Sequence, residues 1–172
     1  MPEQLAPRDA VKEVCDGILG VLRDNDFTVH GRFYPDEEVC YIDFYDRETK
    51  NEVLRILEEL GERDPRSKAA WSSDGTITVT YNRNLDLLML MIEMPVVVFP
   101  DGFKRCDIFV GDPSYKFLRI TEVHPHSHRK HASVHIHLYT EIKRREGAIR
   151  EVIREINSLV QQTRSCYELF EK

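Results

Sequence analysis

Apolar residues fall on every second position in stretch after stretch of this chain, and that period confines it to a sheet with one covered face. Cys40, Ile42 and Phe44 alternate with Tyr41, Asp43 and Tyr45. Ile77, Val79 and Tyr81 alternate with three threonines, and Ala132, Val134, Ile136 and Leu138 alternate with polar residues. Neighbouring residues of a strand point to opposite sides, so such a run buries one side and leaves the other polar. A parallel sheet covered on both faces would show continuous apolar runs instead.

Phe27, Val29 and Phe33 form a further alternating run, and Pro35-Asp36-Glu37 predicts a hairpin joining it to the strand after it. Strands are also expected at Thr76–Tyr81, Val96–Phe99, Phe103–Val110 around the Pro100-Asp101-Gly102 turn, Tyr115–Val123 and Ala132–Thr140, while the unbroken apolar run Leu85–Ile92 reads as a buried strand or a short helix. Three stretches carry the helical period instead. Val11, Val14, Cys15, Ile18 and Leu22 mark a helix from Pro7 to the Asp24-Asn25-Asp26 cluster; Val53, Ile56, Leu57 and Leu60 mark one from Arg47 to Leu60. Ile149, Val152, Ile153, Ile156, Leu159 and Val160 mark a long C-terminal helix.

The fold class expected is therefore α+β: a single antiparallel sheet of about six strands, helices packed on one face, and a long C-terminal helix. The 172 residues are expected to form one domain, with 1–7 a loose terminus and 163–172 a tail that a break near Thr163 would separate. Cys15, Cys40, Cys106 and Cys166 have no C-x-x-C spacing, so they are expected as free thiols rather than zinc ligands. No charged and then apolar leader opens the sequence, and no apolar run approaches the roughly 20 residues that span a bilayer. A cytoplasmic protein without membrane contact is the expectation.

Charge narrows the partners. The net charge is −6, but residues 1–65 hold seventeen acidic against eight basic side chains. An acidic front half argues against non-specific coating of nucleic acid, which needs a field of Lys and Arg. His30, Arg32, Tyr34, Tyr41 and Tyr45 would share a face that could stack bases, yet Asp43 lies among them. Another protein is the partner class expected. Asp46 is expected to cap the second helix rather than to pair with Asp43 as acid and base.

Six of the seven histidines lie between positions 124 and 137. If residues 118–126 pair with 131–139 through a loop at 127–130, His126 stands opposite His131, His124 opposite Ser133 and Glu122 opposite His135. One face of that hairpin would display Glu122, His124, His126, His131, Ser133, His135 and His137, and the other Val123, Ala132, Val134, Ile136 and Leu138. Imidazoles at this density beside a carboxylate suit a divalent transition metal such as Zn, Ni, Mn, Cu or Fe. His135 and His137 would be the two-ligand core, with His124 or Glu122 as a third. The function expected is a small accessory protein whose histidine-rich face binds a partner protein or a metal ion.

His135-Ile136-His137 also resembles the His-hydrophobic-His metal motif of HUH endonucleases. That resemblance implies a metal-dependent phosphodiester enzyme acting on nucleic acid, with His135 and His137 as ligands and Tyr167 as the catalytic nucleophile; Phe170 stands where its Tyr-x-x-Lys form has lysine. His135, His137 and Glu141 resemble the His-x-His-x3-Glu core of cupins, with Arg129 in place of the glycine that precedes it. There is no nucleophile elbow, phosphate loop or dinucleotide fingerprint.

Overall fold

A computed structural model describes residues 3–59, 61, 74–98, 115–127 and 132–168. Within them six strands form one antiparallel sheet: β1 (Thr28–Tyr34), β2 (Val39–Tyr45), β3 (Asp74–Asn82), β4 (Leu87–Val98), β5 (Arg119–Ser127) and β6 (Ala132–Ile142). Their order is β1-β2-β3-β4-β6-β5, with every neighbouring pair antiparallel. The helices are α1 (Pro7–Asp24), α2 (Arg47–Glu59) and α3 (Glu146–Glu168). The expected α+β architecture is the one observed.

Alternation decides which face each strand buries. Cys40, Ile42 and Phe44 pair in register with Val79, Ile77 and Gly75, and beyond them Ile92, Leu90 and Leu88 pair with Leu138, Thr140 and Ile142. These residues are buried together with Val11, Val14, Ile18 and Leu22 of α1 and Val152, Ile156, Leu159 and Val160 of α3. Helices α1 and α3 thus lie side by side on one face. At roughly 1.5–3 kcal/mol for each fully buried aliphatic side chain, this shared core is the main stabilising term. Gly17 lets the two helices meet closely, because a Cβ there would come within 2.9 Å of Ile153 Cδ1. Gly75 leaves room for the Phe44 ring, which a Cβ would overlap; that ring also meets Phe27 edge-on at 5.5 Å.

Helix α2 is fastened at the end of β2. Asp46 Oδ2 accepts from the Thr49 backbone N–H at 2.9 Å and from Thr49 Oγ1 at 2.6 Å, the expected N-cap. The other Asp46 oxygen pairs with Arg164 of α3, whose guanidinium lies over the Phe27 ring. Lys50 reaches Asp74 at 2.7 Å and sits over Tyr45.

Three expectations need correction. Cys15 and Cys40 are not free thiols: they form a disulfide, with Cα atoms 6.4 Å apart. Both belong to apolar stripes that face each other across the core, so the folding that buries them also joins them. Strand β4 does not break at Pro95 but runs through it to Val98. Its pairing with β3 ends at Glu93, while pairing with β6 continues from Glu93 to Val98. A residue without an N–H therefore sits where only one neighbour is left to satisfy. The strand after the connection starts later than expected, at Arg119, and extends to Ser127. The expected strand at Phe103–Val110 lies outside the described residues.

Candidate metal and partner face

The face of the sheet away from α1 and α3 is built of the residues that alternate with the core. Register aligns them in rows that cross all six strands. One row is Arg32, Tyr41, Thr78, Met91, Tyr139 and Arg119. The next is His30, Asp43, Thr76, Glu93, His137 and Glu122. Among the described residues no helix packs over the middle of these rows: Tyr41 is 38% exposed and Met91 47%. A shallow depression of about 420 Å³ lies over β3, β4 and β6, lined by Thr76, Thr78, Met91, Glu93, Thr121, His137 and Tyr139.

Local contacts order the β1–β2 side of this face. Tyr34 and Tyr41 meet edge-on at 6.0 Å, Arg32 lies 5.8 Å from the Tyr41 ring, and Arg32 approaches Asp43 at 3.6 Å. Asp43 is thus an exposed ion-pair partner, well apart from the capping role of Asp46. On the β4–β6 side Tyr139 donates to Glu141 Oε1 at 2.6 Å. Burial, reinforced by that carboxylate, pushes the Tyr139 phenol up to about 12.

The histidine hairpin has a different register from the one expected. His124 pairs with His135, Glu122 with His137, and His126 with Ser133. The expected pairs were His124 with Ser133, Glu122 with His135 and His126 with His131. The connecting residues are 128–131 rather than 127–130, and His131 lies outside the described residues. In this alignment Val123 stands beside Ile136 and Pro125 beside Val134. The displacement is two positions, an even number, so both strands keep their faces. Positions 122, 124 and 126 of β5 thus stand opposite positions 137, 135 and 133 of β6.

A bulge makes that shared face. Ile120 pairs with Leu138, but the next pair is Glu122 with His137, so Thr121 has no partner residue on β6. Without that extra residue, Glu122 and His124 would fall opposite Ile136 and Val134 on the core side. Thr121 Oγ1 donates instead to the His137 carbonyl at 3.1 Å.

Glu93 was missed by sequence reasoning. It stands on β4 directly beside His137, with Oε1 3.8 Å from His137 Nε2. Its signal was present: a lone carboxylate between Ile92 and Met94 in an otherwise apolar stretch. Among the residues whose side chains are described, no group of three or more His, Cys, Asp or Glu could hold a metal ion. Tyr167 lies in the last turns of α3. That helix packs on the face of Ile136 and Leu138, whereas His135 and His137 hold positions on the other face. Glu141 follows on the same face of the same strand, paired with Met89.

Among the described residues no helix is long and apolar enough to cross a membrane. No protein-family model matches the chain, and neither a curated protein nor a solved structure matches it.

Proposed function

We propose that this chain is a non-catalytic accessory protein that docks a partner protein on the open face of its sheet. The observation that carries this reading is a six-strand face with Tyr34, Tyr41 and Met91 exposed on it while α1 and α3 lie on the other side. Exposed aromatic and methionine side chains grouped on one surface are characteristic of interaction sites. Arg32, Asp43 and Glu93 beside them would select the partner's orientation by charge. A nucleic acid fits less well, because Asp43, Asp74, Glu93 and Glu141 distribute carboxylates over the surface its phosphates would have to cross.

The alternative, a metal-dependent phosphodiester enzyme, needs a nucleophile near His135 and His137, and the helix carrying Tyr167 lies across the sheet from them. That favours docking. A cytoplasmic location belongs to the same reading and makes a demand: the Cys15–Cys40 bond would have to persist against a reducing thiol pool.

The test compares wild type with a Tyr41→Glu, Met91→Arg variant as baits in native extract of the source cells. A partner retained by wild type should fall at least tenfold on the variant, with the melting temperature unchanged. Equal retention on both baits rejects this face as the docking surface.

A further inference from the structure

We propose that Glu122, His124, His135 and His137 form a binding site for one divalent first-row transition ion. This goes beyond the docking role and does not depend on it. Register is the starting point: His124 stands directly opposite His135, and Glu122 directly opposite His137, all on the open face. Directly opposed residues have Cβ atoms about 5 Å apart, and i, i+2 neighbours on one strand about 7 Å. The four positions therefore form a small rectangle bridging two strands, a spacing at which flexible side chains can converge on one ion. Three imidazoles and a carboxylate are a donor set suited to zinc and its neighbours rather than to calcium or magnesium.

Two further observations bear on this array independently. The bulge at Thr121 is what sets positions 122 and 124 opposite 137 and 135, and bulges recur where a strand is re-aimed for function. On the other flank Glu93 Oε1 lies 3.8 Å from His137 Nε2, which adds a second carboxylate beside the array. Among the described residues β5 is the outermost strand of the sheet, so the array lies at its margin.

The experiment uses the full chain without a histidine tag, stripped with chelator and titrated with zinc by calorimetry. Elemental analysis after dialysis counts the bound ion, and cobalt replaces zinc to give a visible spectrum. One equivalent per chain is expected. His135→Ala and His124→Ala should each weaken binding at least tenfold and abolish the cobalt bands, while His30→Ala on β1 should bind as wild type. Circular dichroism checks that each variant is folded, and His137→Gln replaces any that is not. Substoichiometric zinc in the wild type, or undiminished affinity in folded variants, overturns the proposal. Partner retention is measured on chelated protein, so the two readings fail separately.

Discussion

Tyr139 shows how much a single position on the open face depends on its neighbours. Its phenol is held neutral up to about 12 by burial and by donation to Glu141. The folded state thus favours the protonated form more than the unfolded chain does. The stability this contributes is complete below the ordinary tyrosine value near pH 10 and is lost as pH rises towards about 12. An ultraviolet titration should show an ionisation step near pH 12 that disappears in Tyr139→Phe and moves down in Glu141→Gln. Neither partnership was legible beforehand, because i, i+2 residues on a strand contact each other only when the face is known. Asp46 was different: a carboxylate three positions before Thr49 at a helix start is a local signal, and the cap is where it was expected. Its pairing with Arg164, more than a hundred residues away, left no such trace.

Among the elements, β5 was the hardest to place. Its strand character was legible, yet its register was not, since two alignments differing by an even displacement satisfy the same alternation. The bulge did leave a mark. Leu118 and Ile120 are two apart, but the next apolar residue, Val123, is three further on. That broken interval is what a single inserted residue looks like in sequence. Deleting Thr121 is therefore expected to turn Glu122 and His124 toward Ile136 and Val134. Burying these polar groups without partners should cost several kcal/mol. Thermal unfolding measures the loss, and Thr121→Ser, which keeps both the residue count and the hydroxyl, should unfold close to wild type. Strand β4 taught the opposite lesson: Pro95 was weighed as a breaker, but partner availability on each side of the strand decided the outcome.

At the scale of the whole molecule, the layer arrangement followed from alternation and helical stripes alone, because each demands an apolar partner surface and a single sheet face supplies it. Strand order did not. Placing β6 between β4 and β5 joins segments more than thirty residues apart, and pairing at that distance has no local signature. The disulfide escaped for the same reason: Cys15 and Cys40 each looked like core, and only the docking of α1 on β2 brings them together. It closes a loop of 25 residues, which in the chain-entropy model stabilises by roughly 3 kcal/mol. Denaturant titrations with and without reductant should differ by about that amount, and alkylation before reduction should leave both residues unlabelled.

Among the described residues β5 is hydrogen-bonded along one side only, by β6. In any sheet the outermost member frays first, so amide exchange along Arg119–Ser127 is a natural reporter for events on the histidine array. A ligand clasping β5 to β6 would act as a latch on the outer hem of the described sheet, slowing that exchange while leaving α1 and α3 opposite untouched.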